Sequence, residues 1–270
     1  MQQSNIKKGG GALLKAGIVL SGVCCAFTSA ESLAGNLDAR TILEDSKLYF
    51  TAPLRWDERN WTWLGGALLT VAVAHEYDDD VRDHFVNEKH AVPAGEDPNS
   101  TKHALPAAAL FAGTWVAAAL TRDKVGYEET WSMAEAGALS AVSGFALKYA
   151  IGRERPNETA DVDAWFESGD SFPSLHTTVA FAVGTVLAES GNDRYRWVRR
   201  ALGYGVAGGT AYLRMRDNVH WLSDTVAGAA LGMASAHFVL NRRDQGRRGA
   251  NIMLLPLNDG VMLTYSATIR

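Results

Sequence analysis

Six alanine- and glycine-rich apolar segments, separated by polar stretches, constrain this chain more than any other feature. They run at 61–75, 104–120, 131–152, 174–190, 201–213 and 220–240. β-Branched runs are few and alanine is the strongest helix former, so all six are predicted as helices. Small residues at close spacing let such helices approach one another tightly. The expected fold is all-α, a six-helix bundle with its functional site at one end. An export leader precedes the bundle and a short β-like tail follows it. Residues 1–30 form the leader, 31–60 a polar segment, 61–241 the bundle and 242–270 the tail. A length of 270 residues with 47% hydrophobic content suits one large domain with extensions. In the tail, Asn258-Asp259-Gly260 reads as a hairpin turn between two short strands.

The leader rests on Lys7, Lys8 and Lys15, the apolar stretch ALLKAGIVLSGVCCAFTSA and the small residues Thr28, Ser29 and Ala30. An uncleaved membrane anchor is the rival reading. Both cysteines, Cys24 and Cys25, lie here, so a cleaved chain has no thiol for a disulfide or a nucleophile. The leader carries three lysines and no acid, which leaves 23 basic against 30 acidic residues downstream. That balance argues against nucleic acid as the main partner and leaves small anionic ligands open.

The charged and titrating residues cluster at helix ends. The third apolar segment ends in KYAIGRERP, with Lys148 and Arg155. The fourth opens on PSLH, with Ser174 and His176. The fifth ends at Arg214, and the sixth opens with His220 and Asp224. Consecutive helices joined by short loops run antiparallel, so these four ends share one end of the bundle. His220 and Asp224 stand four apart on one predicted helical face, where Asp224 can fix the ring's tautomer and leave the other nitrogen free. Lys148, Arg155 and Arg214 can surround a tetrahedral anion, and two helix N-termini aim backbone N–H groups at the same place. Such a pocket suits phosphate. Arg153 and Arg216 are not needed for the cage and are assigned to helix-end carbonyls or solvent. The acidic run EYDDD (76–80) reads as a solvated face rather than a cation site.

Three motifs in this order resemble the type 2 phosphatidic acid phosphatase family, which includes bacterial acid phosphatases and vanadium haloperoxidases. Lys148 is followed by six residues and Arg155-Pro156. Next comes Pro173-Ser174-Leu175-His176, and then Arg214, five residues, His220, three residues and Asp224. The resemblance spans about 61–240. It implies a two-step hydrolysis in which His220 attacks phosphorus, Asp224 orients His220, and His176 protonates the leaving oxygen and then assists water. Lys148, Arg155, Arg214, Ser174 and the N–H of Leu175 would hold the phosphoryl oxygens, with no metal and no other cofactor. Two positions depart from the family pattern: Leu175 stands for a glycine and Leu213 for a serine. A glycine-only conformation at 175 would cripple oxyanion binding, whereas a helical one would only reshape the wall.

The resemblance implies a phosphatase for phosphomonoesters or pyrophosphates, such as phosphatidate, prenyl pyrophosphate, lipid A phosphates or small soluble esters. A non-catalytic phosphate- or lipid-binding descendant and a vanadate-dependent oxidase are the alternatives. Membrane association is expected in a bacterial envelope, with the site facing the periplasm. Whether the bundle spans is left open. Basic residues at 194–200 and 242–248, opposite the site, fit a cytoplasmic side. Several segments fall short of the roughly 20 apolar residues a span needs. After a cleaved leader, moreover, three spans would put Lys148 on the inner side.

Overall fold

The computed structural model describes residues 39–87, 92–97, 99–191, 195–248, 251–257 and 260–266. The expected leader lies outside the described residues. The chain divides into two compact units, 1–43 and 44–270. Of the first, only the opening of helix α1 (Ala39–Phe50) is described.

A 3-10 turn (Ala52–Arg55) follows α1, then α2 (Glu58–His75), α3 (Asp78–Asn87), α4 (Ser100–Thr121), α5 (Lys124–Ile151), α6 (Leu175–Glu189), α7 (Arg196–Arg216) and α8 (Leu222–Arg248). All six apolar segments lie in helices. Helices α1 and α3 come in addition, from stretches too polar to carry an apolar signal. Strands β1 (Asn251–Leu257) and β2 (Gly260–Ser266) pair antiparallel with Leu257 opposite Gly260. The expected turn residues Asn258 and Asp259 lie outside the described residues.

Capping explains several boundaries. Asp57 accepts from Asn60 N at the start of α2, and Asp123 accepts from Val125 N at the start of α5. Gly152 ends α5 in the left-handed conformation (φ 56°), which a glycine adopts without a Cβ penalty.

Helix α6 is the axis of the bundle and packs against α4, α5, α7 and α8. Its core partners are Met133, Ala136 and Leu139 from α5, and Ala236 and Val239 from α8, around its own Ala182, Val183, Val186 and Leu187. The crossings are set by glycine. A Cβ on Gly184 of α6 would stand 2.4 Å from the Gly203 carbonyl oxygen of α7, and one on Gly203 would stand 2.2 Å from the Gly184 oxygen. On α8, a Cβ on Gly232 would stand 2.2 Å from the Thr178 oxygen. The short side chains thus do what the sequence suggested: they let backbones touch.

At the end of the bundle remote from the cage residues, four described arginines are paired with carboxylates. Arg243 meets Glu135 (2.7 Å), Arg242 meets Asp45 (2.8 Å), Arg200 meets Glu189 (2.7 Å) and Arg199 meets Glu129. Glu135, which interrupts an apolar segment, is there as the partner of Arg243. Helix α4 is the one described helix long and apolar enough to cross a membrane by length and composition.

Candidate active site

The loop after α5, the start of α6, the end of α7 and the start of α8 come together as their antiparallel order requires. His220 is not the first residue of a helix, contrary to the sequence reading, because α8 begins at Leu222. The spacing to Asp224 still brings the two side chains together, with His220 Nδ1 3.5 Å from Asp224 Oδ2. A third group completes the pair. Ser171 Oγ donates to Asp224 Oδ2 at 2.5 Å and lies 3.4 Å from His220 Nδ1. The backbone N–H of Trp221 donates to the same carboxylate oxygen at 3.0 Å. Nδ1 of His220 therefore faces the serine and the carboxylate, and Nε2 is the nitrogen left for chemistry.

Arg153 overturns its assignment to solvent. It is fully buried and is a central contact of the site. Its Nη1 donates to Asp224 Oδ1 (2.9 Å) and Ser223 Oγ (2.7 Å), and its Nη2 to Asp78 Oδ2 (2.8 Å) and the Val162 carbonyl (2.7 Å). Trp165 and Trp221 flank the guanidinium at 4.1 and 5.0 Å from their ring centroids. Asp78 also departs from the solvated-face reading. It is wholly buried and accepts from Ser223 N (2.8 Å) and Ser223 Oγ (2.6 Å), with His75 Nδ1 at 3.0 Å. Two buried carboxylates flanking one buried guanidinium offset each other's desolvation only while all three are present.

In the expected anion cage both arginines already have carboxylate partners, and the lysine meets a backbone carbonyl. Lys148, buried, donates to the Asp170 carbonyl. Arg155 binds the Asp170 carboxylate through Nε (2.6 Å) and Nη2 (3.0 Å), and Asp97 through Nη1 (3.2 Å). Arg214, fully buried, binds Asp97 with both terminal nitrogens (2.9 and 2.6 Å). Asp97 and Asp170 sit in polar loops where a carboxylate carries no distinguishing pattern, so sequence reasoning missed them. Ser171 carried a faint signal, since it directly precedes the FPSLH stretch.

Ser174 is the residue before α6 and is buried, and its hydroxyl accepts from Thr177 Oγ1 at 3.1 Å. Leu175 is the first helical residue and is not among the left-handed positions. Its side chain lies over Gly144 of α5: a Cβ at 144 would stand 2.6 Å from Leu175 Cδ2. The side chain that replaces the family glycine thus has a glycine on the neighbouring helix to receive it. His176, half-buried, has Nε2 3.2 Å from Ser100 Oγ at the start of α4.

Electrostatics favour neutral imidazoles. Burial, then the charges of Arg214, Lys148 and Arg155, push His220 well below the usual histidine range. Burial and Arg214 lower His176 to about 3. Burial lowers Lys148 to about 8, partly offset by Asp170. Burial alone would raise the Asp97 carboxyl, but Arg214 and then Arg155 hold it well below the usual carboxylate range.

The site thus combines three buried or half-buried cations with a histidine whose Nδ1 faces a serine and a carboxylate. Residues 129–248 match the model of the PAP2 superfamily, and the expected cage and histidine residues all fall inside the match. Within the chain, an 88-residue stretch is 41% identical to the lipid A 1-phosphatase of Porphyromonas gingivalis, covering 33% of this chain and 18% of that relative. The chain thus spans less than a fifth of that relative's length. Among solved structures, Aquifex aeolicus LpxE is similar at 22% identity and a TM-score of 0.40, covering 54% of this chain and 88% of that one. A transmembrane PAP2 type phosphatidylglycerolphosphate phosphatase from Bacillus subtilis is similar at 16% identity and 0.44, covering 68% and 95%.

Proposed function

We propose that the chain is a phosphatase that hydrolyses phosphomonoesters or pyrophosphates of lipids through a phosphohistidine. The observation that carries this reading is that His220, held by Ser171 and Asp224, lies next in the network to Asp170, which meets Lys148 and Arg155, while Asp97 joins Arg155 to Arg214. In the first step Nε2 of neutral His220 forms a bond to phosphorus while the ester P–O bond breaks, and the leaving oxygen takes a proton from His176. In the second, water attacks phosphorus as the N–P bond breaks, and its proton passes to His176. Lys148, Arg155, Arg214, Ser174 and the Leu175 N–H hold the phosphoryl oxygens, and the three cations stabilise the charge that develops there. His176 rests unprotonated, which suits the second step. Entry of a phosphate dianion offsets the arginine charge that depresses this ring and favours the protonation the first step needs.

Lipid phosphates are favoured as substrates by the name of the relative that is 41% identical over 88 residues, a lipid A 1-phosphatase. Exposed apolar side chains support a membrane surface as the working environment: Trp61, Trp63, Leu68 and Leu69 on α2, and Trp115 and Leu120 on α4. The site is assigned to the periplasmic side of a bacterial envelope.

The test is phosphate release from vesicles carrying lipid A 1-phosphate, phosphatidate or phosphatidylglycerolphosphate, against soluble esters, with His220→Ala alongside. Release above the soluble esters, lost in His220→Ala, is expected. Acid quenching should trap an acid-labile phosphoprotein that His220→Ala does not form. Undiminished release by His220→Ala would overturn the mechanism.

A further inference from the structure

We propose that Asp97 is an internal competitor for the oxyanion seat and makes the site selective for phosphate dianions over monoanionic diesters. The proposal rests on the phosphatase reading above. Asp97 meets Arg214 through both terminal nitrogens (2.9 and 2.6 Å) and Arg155 through a third (3.2 Å). A planar carboxylate in the fork of one arginine and at the edge of another mimics two oxygens of a phosphoryl group. Arg214 Nε, also buried, donates to no acceptor among the described residues, so the guanidinium retains an unused donor. The same stretch reaches the other histidine, since Ser100 Oγ stands 3.2 Å from His176 Nε2. Asp97 and Ser100 thus cover two groups that the proposed chemistry requires.

The backbone around Asp97 is tied down away from the cage. Val92 N donates to the Asp217 carbonyl (3.2 Å), and Asn157 Nδ2 donates to the Pro93 and Glu96 carbonyls (3.0 and 3.1 Å). Asn99 Nδ2 donates to Asp217 Oδ2 at 2.8 Å. None of these contacts involves Arg155 or Arg214, so the Asp97 side chain can leave the arginines while its loop stays in place. Its side chain is 21% exposed, which gives it a way out toward water.

Selectivity follows from charge. A phosphate dianion placed beside Asp97 would meet a carboxylate within a few ångströms, so it must displace it. With Asp97 released, Lys148, Arg155 and Arg214 face Asp170 and the dianion, and the charges cancel. A monoanionic diester exchanges one negative charge for another and adds an alkyl group, so it gains little over the resting contact.

The test uses the purified full chain, calorimetric binding of inorganic phosphate and of dimethyl phosphate, and turnover of a monoester and a diester. For Asp97→Asn we expect inorganic phosphate to bind at least about tenfold tighter, the scale of one lost charge-assisted contact. The preference for phosphate over dimethyl phosphate should narrow. Asp97→Ala is the second variant and should shift in the same direction. Weaker phosphate binding in both variants would mean that Asp97 only orients the arginines and would overturn the proposal. So would unchanged binding. If the wild-type chain releases phosphate from no ester, the phosphatase reading fails, while direct binding of inorganic phosphate still decides the role of Asp97.

Discussion

Arg153 bridges parts of the chain that lie far apart in sequence: Asp78 at the start of α3, Val162 in the loop after α5, and Ser223 and Asp224 at the start of α8. Its removal leaves two buried carboxylates without a counter-charge. Arg153→Ala should therefore cost about 3–5 kcal/mol of stability, measured as a shift in the urea midpoint. Arg153→Lys keeps the charge but not the fork, so it should recover part of that stability while phosphate release stays low. The contrast between Arg153 and its neighbour Arg155 shows what sequence could reveal here. The interval from Lys148 to Arg155-Pro156, and the run from Arg214 through His220 to Asp224, carry their meaning in local spacing. The meaning of Arg153 lies in an aspartate 75 positions earlier, inside an acidic run that usually faces water. Asp97 is hidden for the same reason: its partner Arg214 is 117 residues away.

At the level of elements, the α5–α6 contact holds a complementary pair, Leu175 over Gly144. Because the Cβ of an alanine at 144 would stand 2.6 Å from Leu175 Cδ2, Gly144→Ala must displace the end of that side chain. Leu175 Cδ2 is the end of a flexible side chain and alanine favours helix over glycine by about 1 kcal/mol, so we expect Gly144→Ala alone to change stability by less than about 1 kcal/mol. Leu175→Gly alone should destabilise it through a cavity and a freer backbone. The double variant should be better than the sum, a coupling read from a double-mutant cycle by thermal denaturation. Strict additivity would show that the two sites do not share this space. The six long helices were legible because alanine-rich apolar runs signal helix without tertiary help. Helices α1 and α3 were not, since both are short and polar, and α3 is placed by Asp78 and the partners it meets in the fold.

Across the whole molecule, the site makes the fold sensitive to mild acid. His176 is lowered to about 3 and His220 lies well below its ordinary 6.5, so the unfolded chain takes up protons that the folded chain refuses. The stability these rings allow is complete above pH 6.5 and is lost progressively as pH falls toward 3. Asp97, also depressed, adds to the loss below its ordinary value of 3.8. The melting temperature should therefore begin to drop near pH 6.5 rather than near pH 4, and His176→Gln should flatten the upper part of that slope. On the alkaline side Lys148, lowered to about 8, loses the charge that the proposed reaction draws on. Activity should fall above pH 8, and Lys148→Arg should carry that limb upward even if the maximum rate drops.

The site is completed by residues near position 220, although Lys148 lies 72 positions before His220 and Arg155 lies 65 before it. A nascent chain made at about 5–20 residues per second thus carries Lys148 and Arg155 for several seconds before His220 exists. Until α8 docks, the half-made protein holds these cations without the histidine that the proposed reaction requires, so synthesis itself delays any chemistry until the bundle can close.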